Sequence, residues 1–274
     1  MAKQGEEGFL GFLELHDRRR RHAGSDRRRR MEDSRADGRN PNQLRPFSCT
    51  RNPLDRAHGS ARWAQGDTIV LAAVYGPKPG TRKGENPEKA SIEVVWKPMT
   101  GQIGKQEKEY EMTLKRTLQS ICLLTVHPNT TTSVILQVVG NDGSVSFCRN
   151  LLPCAINACC AALVFAGIPL KHLAVAIGCG VLEDGEVILD TNKAEEQQLK
   201  SFAHLVFPNS RKSASSKQPN QKEEDSERGL ITSITHGVMS EEDYFSCIER
   251  GLAASSRISD FMRTTLQKQA AGDV

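Results

Sequence analysis

Two aspartates, Asp184 and Asp190, stand six residues apart around the turn signal Asp184-Gly185. A carboxylate beside a reacting bond can give or take a proton, and two on one edge can share a divalent cation such as Mg²⁺. The pair also has a plainer reading, because Asp before Gly forms turns and Asp190-Thr191-Asn192 can cap the next segment. A second group, Asn141-Asp142-Gly143-Ser144, follows an apolar run and lies near Leu151, the start of an apolar helix. Backbone N–H groups and a hydroxyl at a helix N-terminus make an anion site, although a turn needing Gly reads the same way. Third, the glycine-bearing stretch 101–108 (GQIGKQEK) leads Lys105, Gln106 and Lys108 into a helix. These can grip a phosphate backbone or simply be a solvated loop.

Other chemistries lack their residues. No G-x-x-x-x-G-K-[ST] phosphate loop is present, and Gly178-Cys179-Gly180 is too short for a dinucleotide fingerprint. The seven histidines show no i, i+4 pairing, the eight cysteines no C-x-x-C, and no serine-hydrolase elbow occurs.

The elements that must position these groups follow from periodicity. Residues 68–75 (TIVLAAVY), 91–97 (SIEVVWK) and 131–139 (TTSVILQVV) read as strands, the second with strict alternation. Residues 108–126 place Met112, Leu114, Leu118, Ile121 and Cys122 at helical spacing. The Ala- and Leu-rich stretch 151–166 reads as a fully buried helix stopped by Gly167 and Pro169. Strands at 173–182 and 186–190 flank the turn Glu183-Asp184-Gly185, and another is expected at 230–235. A long helix then starts at Ser240, whose Ser240-Glu241-Glu242-Asp243 resembles a capping box. Strands followed by helices, twice over, predict an α+β domain of two β-α halves.

Length and composition set outer bounds. The 274 residues suffice for a well-buried core, and no apolar run approaches the ~18–20 residues of a membrane helix. The beginning does not read as a secretory signal, since Glu14 interrupts 9–15 and the arginines come later. The adjacent Cys159 and Cys160 sit in an apolar stretch as small hydrophobes, which fits a reducing intracellular compartment. Net charge is +4, and residues 1–30 hold all of it: nine Lys or Arg against five Asp or Glu. Arg18–21 and Arg27–30 mark a disordered arm, either dispensable or a nuclear-import or nucleic-acid-binding tail. Residues 209–229 are polar and aperiodic, and read as a mobile insertion in a domain spanning 36–268.

Taken in order, several short stretches resemble the RNase PH family, in particular the RNase PH-like core subunits of the eukaryotic RNA exosome. They are Ala36-Asp37-Gly38-Arg39 with Leu44-Arg45-Pro46, His58-Gly59-Ser60-Ala61, Gly66-Asp67-Thr68 through Gly76-Pro77, and Asn141-Asp142-Gly143-Ser144. Ala155-Ile156-Asn157-Ala158, Gly167-Ile168-Pro169 and Glu183-Asp184-Gly185 to Leu189-Asp190 complete the set. The resemblance implies an RNase PH-like fold, of the kind called ribosomal protein S5 domain 2-like. It implies 3′-to-5′ exoribonuclease chemistry by phosphorolysis, with inorganic phosphate as co-substrate and Mg²⁺ as an optional cation. By the same resemblance Asp184 and Asp190 are the catalytic or Mg²⁺-binding pair. Lys105, Gln106 and Lys108 would hold RNA, while Ser144 and Arg149 would bind phosphate. Partners would be RNA and other RNase PH-like subunits in a hexameric ring, with a homodimer when isolated, in nucleus, nucleolus and cytoplasm. Two departures stand out. The 101–108 loop carries no arginine, and 145–150 looks like an insertion that either displaces Ser144 or supplies Arg149 in its place.

Overall fold

The structure, a computed structural model, describes Arg35 and residues 37–79, 87–140, 150–209 and 229–271. The chain divides into a short unit, 1–43, and a main unit, 44–274. In the described part of the short unit, Asp37 accepts from the backbone N–H of Arg39 at 3.2 Å and from its Nε at 2.5 Å.

The main unit begins with a five-stranded sheet. Its strands are β1 (Phe47–Arg51), β2 (Gly59–Gln65), β3 (Thr68–Pro79), β4 (Ser91–Lys97) and β5 (Thr130–Gly140), in the order β1-β2-β3-β5-β4. All pairs are antiparallel except β4 with β5. Helix α1 (Lys105–Ile121) connects that parallel pair, as a crossover must. Strand β4 buries Ile92, Val94 and Trp96 and exposes the residues between, matching the alternation in its sequence.

Helix α2 (Leu151–Phe165) packs against β2 and β3 of this sheet and against β6 (Ala174–Leu182) of a second one. Lying between two sheets, it has no solvent face. Every residue from Leu151 to Leu163 is buried, and Cys159 and Cys160 are inaccessible, as the apolar stretch predicts. The helix approaches β2 so closely that a Cβ on Gly59 would lie 2.2 Å from the Ala166 nitrogen. Only Gly fits there, which explains a strand that opens with Gly-Ser-Ala rather than large β-branched residues.

The second sheet is antiparallel and runs β7-β6-β8-β9, with β7 (Val187–Leu189), β8 (Leu199–Pro208) and β9 (Thr232–Gly237). A short helix α3 (Lys193–Glu196) precedes β8, and the long helix α4 (Glu241–Ala271) covers the face opposite α2. Strand β6 is consequently buried on both faces. Helix α4 begins with the expected capping box: Asp243 N–H donates to Ser240 Oγ at 3.1 Å, and Ser240 N–H to Asp243 Oδ2 at 3.3 Å. This is the expected α+β arrangement of two β-α halves. Among the described residues no helix is long and apolar enough to cross a membrane.

Some elements differ from expectation. Helix α1 starts at Lys105 rather than 108, because Gly104 serves as N-cap and its N–H donates to Glu107 Oε2 at 2.9 Å. It ends at Ile121, where Cys122 turns extended and bridges Leu170. Strands β1, β2 and β8 were not expected from periodicity. The polar insertion is described only at its ends, Asn209 and Gly229, and the arm 1–30 lies outside the described residues.

Candidate functional site

Asp190 directly follows β7, at the base of the β6–β7 hairpin, where its N–H donates to Gly178 O at 2.9 Å. It is 1% exposed and holds a left-handed φ of 51°. Its carboxylate belongs to Arg45: the Arg45 backbone N–H donates to Oδ2 at 2.7 Å, and Nε and Nη2 donate to Oδ1 at 3.1 and 2.8 Å. Arg45 itself is buried, its side chain lying over Gly66, where a Cβ would meet Cδ at 2.8 Å.

Asp184 occupies the other end of the same hairpin. It is exposed in the turn closed by Gly185 N–H to Leu182 O, and its Oδ1 accepts from the Glu186 N–H at 3.0 Å. Between Glu186 and Asp190 lie the three residues of β7, about 10 Å of strand at the usual rise. One Mg²⁺ holds its ligands at about 2.1 Å, so it cannot be shared across that span while Arg45 occupies both oxygens of Asp190. Nor do the described residues contain any group of three or more His, Cys, Asp or Glu placed to hold a metal. The residues present do not fit a shared Mg²⁺. The structure places Asp190 as a buried partner of Arg45 and Asp184 as a surface carboxylate of the turn.

The N-terminus of α2 lies beside Asp190. Asn150, buried at the head of the helix, donates Nδ2 to the Thr191 carbonyl and to Thr191 Oγ1. Asn192 then caps α3, its Oδ1 accepting the Glu195 N–H at 3.0 Å, so the plainer capping reading of this segment is also realised. Ser144 and Arg149, the expected phosphate ligands, lie outside the described residues, as do Asn141, Asp142 and Gly143.

Lys105, Gln106 and Lys108 sit on the first turn of α1 rather than in a loop. Both lysines are exposed. The unpaired N–H groups and dipole of that turn add positive potential to the two ammonium groups. Gln106 Nε2 donates to the Tyr110 hydroxyl at 2.7 Å, which orients the amide along the helix. One turn further on, Glu109, Tyr110, Met112 and Thr113 line a pocket of about 230 Å³ with Leu152 of α2 and Ile234 and His236 of β9. The start of α2 thus touches the Asp190 segment through Asn150 and the α1 pocket through Leu152.

Comparison with known proteins gives this site a context. Residues 43–169 match domain 1 of the 3′ exoribonuclease family, RNase PH. Over 244 residues the chain is 96% identical to a rice protein (Oryza sativa subsp. japonica) called exosome complex exonuclease RRP46 homolog, covering 89% of this chain and all of that one. The chain belongs to the RNase PH family. An Arabidopsis thaliana protein of the same name is 63% identical over 241 residues, covering 88% of this chain and 98% of the relative. The crystal structure of rice Rrp46 superposes with a TM-score of 0.75 at 91% identity, covering 85% of this chain and 100% of that one. The RNase PH-like fold expected from the motifs is thereby established.

Sequence reasoning gave no role to Arg45, Asn150 or Asn157. An arginine before proline and an asparagine inside an otherwise apolar helix were the available signals. Their partners, distant in sequence, were not.

Proposed function

We propose that this chain is an exosome subunit acting in 3′-to-5′ RNA processing and decay, including rRNA processing and mRNA turnover, with inorganic phosphate as attacking co-substrate. The observation that carries this reading is 96% identity across the whole length of a protein named for exosome exonuclease activity. In the reaction a phosphate oxygen attacks the terminal phosphorus, the P–O3′ bond breaks, and a nucleoside diphosphate leaves while the new 3′-oxygen takes a proton. Lys105 and Lys108 hold the RNA backbone, with Gln106 as an uncharged donor beside them. Ser144 and Arg149, together with the N-terminus of α2, receive the attacking phosphate. Asp184 supplies the surface carboxylate, and Asp190 acts through Arg45 as a positioning residue. The partners are RNA and related RNase PH-like subunits in a hexameric ring, or a second copy when the chain is isolated. The place of action is nucleus, nucleolus and cytoplasm.

The test is to incubate purified protein with labelled RNA and phosphate. Nucleoside diphosphates are the expected product, and monophosphates instead would indicate attack by water. A second reading, a ring subunit that binds RNA without cutting it, is favoured by one observation: Arg45 occupies both carboxylate oxygens of Asp190. Absence of both products from a preparation that still binds RNA would select it.

A further inference from the structure

We propose that the pocket between α1 and β9 holds one nucleobase of the bound strand, stacked on the outer ring face of His236. This rests on the RNA-binding reading above and names a subsite within it.

The first argument is a prearranged ring. His236 lies directly opposite Phe202 in the β8–β9 register, and the two rings stack with centroids 4.7 Å apart at 19°. Phe202 in turn meets His204 edge-on at 5.1 Å, and His204 is only 2% exposed. An exposed imidazole usually samples several rotamers. This one is backed by an aromatic row rooted in the core, so little side-chain entropy remains to be lost on binding. Strand β9 is the edge of its sheet, so no described strand covers the outer ring face.

The second argument is shape and polarity. At about 230 Å³ the pocket lies below the ~300 Å³ at which sites for drug-sized ligands begin, so it suits a ring system rather than a whole nucleotide. Tyr110, Met112, Leu152 and Ile234 supply apolar walls, and Met112 is half exposed. A thioether beside an aromatic face is a favourable neighbour. The Glu109 carboxylate at the rim repels a phosphate group, which leaves the base as the part of a nucleotide that enters.

The third argument is register. Glu109 and Met112 follow Lys105 and Lys108 by four residues each, so cations and pocket share one face of α1, one turn apart. A strand whose phosphates lie on the lysines can direct a base into the pocket.

The experiment measures equilibrium binding, without phosphate, of a single-stranded RNA and of the same strand carrying abasic residues. Purified full-length protein is compared with His236→Ala and His236→Phe. The wild type is expected to bind intact RNA more tightly than abasic RNA. His236→Ala should weaken intact RNA roughly 5- to 100-fold and leave abasic RNA unchanged, while His236→Phe stays close to wild type. Equal wild-type affinity for the two strands overturns the subsite alone, as does an equal loss on both in His236→Ala. Failure of the wild type to bind either strand overturns the RNA-binding reading and the subsite with it.

Discussion

Arg45 grips Asp190 from two directions, with its backbone N–H on one carboxylate oxygen and its guanidinium on the other, across 145 residues of chain. The bond joins the segment entering the first sheet to the end of the β6–β7 hairpin in the second. It also accounts for the left-handed backbone of Asp190, a conformation that costs a non-glycine residue about 1–3 kcal/mol and persists only where its surroundings impose it.

Asp190→Asn should therefore act on stability first. The variant leaves a buried guanidinium with a neutral amide, and breaking a buried pair from one side costs about 3–5 kcal/mol. Asp184→Asn, at an exposed turn, should change unfolding free energy by no more than about 0.5 kcal/mol. Urea denaturation of the two single variants separates them. An Asp190→Asn protein as stable as its parent would mean the Arg45 pair contributes nothing net. Loss of activity in Asp190→Asn has meaning for catalysis only after this comparison.

Asn157 provides a second structural test. Its amide donates to Ala176 O at 3.0 Å and accepts the Ala176 N–H at 2.8 Å. Strand β7 pairs with β6 only at Cys179, Gly180 and Val181, so Ala176 lies on the length of β6 that β7 leaves open. The asparagine takes the place of the missing strand. Asn157→Leu keeps the volume yet orphans two buried backbone groups, and should cost about 2–4 kcal/mol. Amide exchange at Ala176 should accelerate with it. Unchanged exchange would show that another group satisfies this edge.

Much of this architecture was legible in the sequence, for physical reasons that also mark where legibility stopped. Strand β4 alternates cleanly because only one face of its sheet carries helices, so its bounds can be read from hydropathy. Helix α2 and the cap of α4 announce themselves through an unbroken apolar run and a Ser-x-x-Asp. Strand β2 does not, because its buried positions mix Gly59, Ser60 and Ala61, small where α2 comes close, with Trp63 and the polar Gln65, so no clean hydropathy alternation results. The six-residue spacing of Asp184 and Asp190 correctly implied a turn and a strand. What it could not convey is that the strand carries the two carboxylates to opposite ends of a hairpin. Nor could it show that the nearer partner of Asp190 is an arginine far upstream.

The buried thiols predict an alkaline limit. Burial pushes Cys122 up to about 12 from an ordinary 9.0, with nearby Cys160 adding to the rise. Burial likewise pushes Cys160 up to about 12, opposed by the Ala174 N–H that donates to its sulfur. Raised folded values mean that unfolded chains release these protons first. The stabilisation is complete below pH 9 and is lost progressively as pH rises from 9 towards 12. Urea midpoints should fall between pH 8 and pH 10, and the fall should be shallower in Cys160→Ala. A midpoint that stays flat over this range would contradict the assignment.

The grip on RNA offers the last test, and it separates charge from the uncharged donor beside it. Each lysine–phosphate contact releases condensed counterions, so affinity for a single strand should fall by ~0.7 log units per tenfold rise in salt for every contact made. Lys105→Ala should weaken binding and lower that slope by about one contact, and Lys108→Ala should do the same if both face the strand. Gln106→Ala removes a donor without charge, so it should weaken binding while leaving the slope alone. Deleting residues 1–30, with their nine basic groups, should reduce the slope without abolishing binding. In that shortened chain the α1 lysines carry the remaining electrostatic contact, and Lys105→Ala there is decisive. If it leaves both affinity and slope untouched, the first turn of α1 is not where the backbone of the RNA lies.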